Sequence, residues 1–202
     1  MDFAKKIVLN ILVAFYQPFW AAIIVAVVFM YMYLFSFHAE EGNKGWLESI
    51  KTWIDHFKSS SHFRSMFFLA FYVMLVLFKT VLNRTMWIYP LKNVFGGWWI
   101  WDIDSNGQQV LSTACLENLM LLIPFSILYL GSKVKETKTI VWIAKNSIVA
   151  SFVLALFIEM VQLVFRIGNF QFSDLVYNTL GGFIGGLIYW IGYKVKHRGS
   201  GL

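Results

Sequence analysis

A lone cysteine, Cys115, leaves this 202-residue chain without any disulfide to staple its loops, and it is read as a small packing residue. Histidine is almost as scarce. His38, His56, His62 and His197 stand near the ends of apolar runs or in a connecting stretch, with no metal-ligand spacing among them, so neither a metal nor another cofactor is expected. There is no G-x-S-x-G, no H-E-x-x-H and no phosphate-cradling glycine loop, which removes the common hydrolase and nucleotide-binding classes. Charge is thin too: 14% of residues are charged and 58% are hydrophobic, more apolar surface than one soluble core could hide. The chain is therefore read as an integral membrane protein. Its net charge of +6 does not point to nucleic acid, because the lysines and arginines fall in short clusters at the ends of apolar runs, where they set topology and meet anionic headgroups.

Five apolar runs are present, at about Asn10 to Phe37, Ser65 to Leu82, Thr113 to Leu130, Ile140 to Phe165 and Leu175 to Tyr193. Each suffices for a hydrocarbon core of about 30 Å. Lys5 and Lys6 make the first resemble a signal peptide, but the run is too long and lacks a cleavage site, so it is expected to stay as a span, with Pro18 near its start as a kink. Between the first two runs, Trp46, Leu47, Ile50, Trp53, Ile54 and Phe57 recur at helical spacing opposite Glu48, Lys51, Thr52, Asp55 and Lys58, an amphipathic helix suited to the membrane interface. The expected fold is an all-α bundle of five transmembrane helices plus this interfacial helix. Residues 1–65 form an N-terminal part, 66–198 the core, and Gly199 to Leu202 read as a cloning remnant.

The connection from Trp87 to Trp101 is dense in aromatics, as the headgroup layer favours, while Pro90 and Gly96-Gly97 argue against regular structure. Asp102-Ile-Asp104-Ser-Asn106-Gly107 copies the first half of a calcium loop, but Thr113 occupies position twelve where a bidentate Glu is needed, so a polar turn is expected.

Alternating five spans places Lys44, Lys51, Lys58, Arg64, Lys133, Lys135, Lys138, Lys145, Lys194, Lys196 and Arg198 on one side. Lys5, Lys6, Lys79, Arg84, Lys92 and Arg166 fall on the other, eleven against six. The richer side should be cytoplasmic, giving an outer N-terminus and an inner C-terminus.

Polar side chains concentrate at the poorer end. Glu159, Gln162 and Arg166 form one helical stripe, and Asp174 and Asn178 share a face with Gly181, Gly182, Gly185 and Gly186. An ionisable group inside a bilayer costs about 2.5 to 3.5 kcal/mol on the insertion scale, so each needs a partner or a wet cavity. With Lys79, Arg84, Glu117 and Asn118 at the same end, the pattern fits either a polar pocket open to one surface or a set of hydrogen bonds and ion pairs locking four helices together. The doubled GxxxG reads as a close-packing face, with the third or fourth span as partner.

At these residues the chain resembles the VanZ family of bacterial membrane proteins, named for a protein linked to teicoplanin (glycopeptide) resistance. The resemblance lies in Glu117-Asn118-Leu-Met-Leu-Leu-Ile-Pro124-Phe125, in Glu159-Met-Val-Gln162 and in Asp174-Leu-Val-Tyr-Asn178-Thr179-Leu-Gly181-Gly182, in the family's order and spacing. Lys79 and Pro90 match less specifically, and Ser126 stands where a glycine often follows Pro-Phe. The resemblance implies an envelope function in the bacterial cytoplasmic membrane. It suggests a pocket of Arg84, Asn118, Glu159, Gln162, Asp174 and Asn178 for an envelope lipid or a cell-wall precursor. The rival expectation is an intramembrane enzyme acting on a lipid-linked substrate with Glu159 or Asp174 as acid or base. A transporter is disfavoured, since no inverted repeat or matched pair of broken helices is visible.

Overall fold

The computed structural model describes residues 5, 9, 12, 13, 16–37, 45–82, 88–99, 101–103, 107–133 and 139–198. Its helices are α1 (Phe19–Met32), α2 (Trp46–Ser59), α3 (Ser61–Leu77), α4 (Ala114–Leu121), α5 (Ile123–Ser132), α6 (Ile140–Phe165) and α7 (Phe172–Arg198). Short π-helical segments, Tyr33–Phe37 and Phe78–Leu82, extend α1 and α3.

Among the described residues, four stretches are long and apolar enough to cross a membrane: Ser61–Val81, Ala114–Ser132, Ile140–Phe165 and Phe172–Lys196. Within the first apolar run, the described residues give a shorter apolar helix, Phe19–Phe35. Pro18 stands at the N-cap of α1, its carbonyl accepting from Ala22 N at 2.8 Å. The described residues just before it, Leu12, Val13 and Tyr16, are helical too, with Gln17 N bonding Val13 O at 3.2 Å, so the proline marks a junction where its ring nitrogen has no hydrogen to offer the preceding turn. Pro124 acts similarly in the third span. That span divides at Leu122 (φ −101°, ψ 4°) into α4 and α5, with Pro124 in the first turn of the second piece. Tyr72 of α3 donates to Leu121 O beside the break at 2.8 Å, satisfying a carbonyl where the ladder is disturbed.

The bundle is all-α as expected, and its aromatic connection carries a short hairpin. Trp101–Ile103 pairs antiparallel with Gln109–Leu111, and Gly107 takes φ 78° in the turn between them. The dipeptide Asn106-Gly107 between Trp101-Asp102-Ile103 and Gln109-Val110-Leu111 is a hairpin signal that the likeness to a calcium loop obscured. Asp104, Ser105 and Asn106 lie outside the described residues.

Helix α7 is central. On one side Gly181 and Gly185 abut the carbonyls of Leu119 and Ile123; on another, Gly182 and Gly186 abut the side chains of Ser151 and Ser147 in α6. The doubled motif thus serves two neighbours at once, each glycine pair admitting one backbone. Ser126 and Ser151 join hydroxyls at 2.9 Å over Gly182, so α5, α6 and α7 meet at small residues with their polar atoms paired. The remaining core is apolar: Tyr72, Leu75, Val76, Leu122, Phe125, Ala155, Ile158 and Leu175 cluster in the main bundle. Ala26, Met30, Leu34, Phe63 and Phe67 tie α1 to the start of α3.

Candidate functional site

The polar site is built where α3 ends, α4 begins, and α6 turns into α7. Helix α6 closes at Arg166, whose backbone is left-handed (φ 54°, ψ 36°), with Ile167 N bonding Gln162 O at 3.0 Å and Arg166 N bonding Leu163 O at 3.3 Å. This is a Schellman ending made by arginine in place of glycine. It reverses the chain over Gln162, whose amide oxygen lies under Gly168.

Gln162 is 2% exposed, and its Nε2 donates to Thr80 O at 2.8 Å, tying α6 to the π-helical end of α3. Glu159, one turn deeper and equally buried, accepts the Gln171 N–H on Oε2 at 3.2 Å, so the carboxylate anchors the α6–α7 connection from below. On the next side, Lys79 Nζ stands 3.7 Å from Glu117 Oε2, while Thr113 donates to Glu117 Oε1 at 2.6 Å. Asn178 is 3% exposed, and its Oδ1 has no hydrogen-bond partner among the described residues.

Over this end lies the aromatic loop. Phe170 N donates to Pro90 O at 2.9 Å, Phe172 N to Val94 O at 3.0 Å, Ser173 Oγ to Gly96 O at 2.7 Å and Tyr177 OH to Trp98 O at 2.9 Å. The first N–H groups of a helix have no partner within it, and loop carbonyls supply one at the start of α7. Gly97 (φ 78°) sits against Ser173 and Gln171, where a side chain would collide with both. Phe95 stacks on Phe172 with ring centroids 5.5 Å apart.

Of the residues singled out in the sequence, Glu159, Gln162 and Asn178 are buried, Asp174 and Asn118 are half-buried, and Arg84 lies outside the described residues. Thr80, Thr113, Gln171, Ser173 and Tyr177 were not anticipated. Four of them act through or upon main-chain atoms, which leave no residue pattern; Thr113 preceding Glu117 by four was a readable signal. Among the described residues no cluster of three or more His, Cys, Asp or Glu could hold a metal ion.

The family model for VanZ/LLP1 matches residues 19–193. Protein VanZ of Enterococcus faecium is 35% identical over 79 residues, a stretch covering 39% of this chain and 45% of that protein, so the match spans less than half of the relative. No solved structure matches. With four membrane-length helices carrying the three polar blocks, and a family match that runs from the start of α1 into the last turns of α7, the chain is a multi-pass membrane protein that belongs to the VanZ/LLP1 family.

Proposed function

We propose that this chain lowers susceptibility to glycopeptides of the teicoplanin type by binding the headgroup of a cell-envelope lipid or cell-wall precursor at the polar end of its bundle. The observation that carries the reading is Asn178, a buried amide whose oxygen has no donor among the described residues. Leaving such an acceptor unsatisfied costs about 1 to 3 kcal/mol, and a headgroup hydroxyl or amide N–H would supply the missing donor. Asn118, Glu159, Gln162 and Asp174 complete the binding set, with Arg84 outside the described residues. Similarity to Protein VanZ supports the link to glycopeptides.

The test pairs Glu159→Gln with Asp174→Asn, which keep side-chain shape and remove charge. Both are expected to insert at wild-type levels yet lose protection against teicoplanin and lose co-purified lipid, with expression and phenotype measured on the same cells. Wild-type protection and lipid retention in both would leave these residues a purely structural role.

In this reading the protein sits in the bacterial cytoplasmic membrane with its polar end outward, its N-terminus outside and its C-terminus inside. Cysteines placed at position 104 should react with an impermeant reagent in intact cells and those at position 135 should not. The reverse pattern would invert the assignment and turn the polar end toward the cytoplasm.

A further inference from the structure

Helix α2 presents three sides, and the fold accounts for one. Trp53 and Phe57 stack with ring centroids 5.4 Å apart, and Trp53 meets Phe63 and Phe67 of α3 edge-on at 5.7 and 5.8 Å. Beside that packed side, Trp46, Leu47, Ile50 and Ile54 are 72%, 64%, 46% and 39% exposed. At about 100° per residue these four occupy an arc of roughly 100°. Lys58 and Lys51 follow about 20° and 40° beyond Leu47, whereas Asp55 and Glu48 come about 80° and 100° beyond it. All four charged side chains are exposed.

The helix is held in place. Only Ser60 separates α2 from α3, and its hydroxyl accepts Phe63 N at 3.1 Å to cap α3. Arg64 of α3 reaches back, its Nη1 donating to Phe57 O at 3.1 Å and Lys58 O at 2.7 Å, carbonyls of the last turn of α2. The membrane-length stretch Ser61–Val81 then runs about 30 Å to the polar site, so α2 sits at the opposite end of the bundle.

We propose that α2 docks on the bilayer surface there, with Trp46, Leu47, Ile50 and Ile54 at the acyl boundary and Lys51 and Lys58 on anionic phospholipid headgroups. Continuity and charge favour a lipid surface over a protein partner. A helix joined by one residue to a membrane-spanning helix starts at the membrane boundary. Its lysines flank the apolar arc, where their stems can lie along the acyl region while the ammonium groups reach the phosphates, and its acids fall on the watery edge.

The test uses the full chain reconstituted in vesicles of phosphatidylcholine with phosphatidylglycerol, spin-labelled after Ile50→Cys or Asp55→Cys. Cys115 is buried and stays in place, with its own labelling measured in the unsubstituted protein. The label at 50 is expected to collide with oxygen and hardly with a water-soluble nickel chelate, and the label at 55 to do the opposite. The excess of phosphatidylglycerol over phosphatidylcholine retained by the purified protein should fall roughly fivefold for each lysine removed in Lys51→Gln and Lys58→Gln. Equal nickel access at 50 and 55 would overturn the docking. Shielding of position 50 from both probes would assign the stripe to a protein contact, a second copy included, and overturn it as well. Unchanged phosphatidylglycerol excess in the lysine variants would overturn the anionic partner.

Discussion

Gly181→Ala lowers the thermal midpoint of the detergent-solubilised protein sharply, whereas Gly192→Ala leaves it unchanged or slightly raised. The two positions share one helix and one chemistry but not one environment. A Cβ on Gly181 would run into the carbonyl of Leu119, a main-chain atom that cannot rotate aside, while a Cβ on Gly192 meets nothing within 4 Å. Overpacking a close contact costs about 1 to 3 kcal/mol, and the upper end applies where the obstacle is backbone. Gly182→Ala should fall between them, because its obstacle, Ser151, is a side chain that can turn away at the cost of its hydrogen bond to Ser126. Gly192→Ala gains the helix propensity of alanine and loses no contact. Equal midpoints for Gly181→Ala and Gly192→Ala, read by scanning fluorimetry on matched preparations, would contradict the close approach of α4 and α7.

Gln162→Leu and Gln162→Glu are both expected to destabilise the bundle, the second at least as much as the first. Leucine removes the donor to Thr80 O and leaves a buried carbonyl unsatisfied, a loss of about 1 to 3 kcal/mol. Glutamate has nearly the same shape, but where glutamine donates an N–H it presents a second acceptor to the carbonyl and adds a charge to the burial. A role for Gln162 in shape alone predicts the reverse order, with glutamate the milder change. Thermal midpoints of the two variants beside the wild type decide between them. The effect should exceed that of Ser173→Ala, whose bond to Gly96 O ties down the covering loop and not the helices themselves.

The helical framework could be read because its causes are local. Ile140 to Phe165 emerged with the bounds that the structure gives α6, since a predominantly apolar run of that length has one stable form in a bilayer. The Trp46 to Phe57 pattern became α2 because its period is that of a helix. Where proline intervened, the reading reached the residue but not its consequence. Pro124 is visible in its span, yet whether a proline kinks a helix or divides it depends on which neighbours satisfy the freed carbonyls, and Tyr72 is distant in sequence from Leu121.

The polar blocks were visible as residues out of place in apolar runs, and their gathering at one end followed from alternation of the spans. What each one does was decided by the tertiary structure. Glu159 holds the Gln171 amide, Gln162 holds the Thr80 carbonyl, and the loop from Pro90 to Trp98 lies over the α6–α7 turn through carbonyls of Pro90, Val94, Gly96 and Trp98. Every residue has those backbone groups, so no residue type announces them. Likewise the four glycines of α7 declared a close-packed face, but only the packing of three helices assigned Gly181 and Gly185 to the α4–α5 backbone and Gly182 and Gly186 to the serines of α6. The sequence by itself determined the membrane character, the helices and the end of the bundle that carries polar groups, because hydrophobicity and period are properties of each segment alone. The tertiary structure decided the partners, because a hydrogen bond between distant segments depends on where both are brought and not on what either contains.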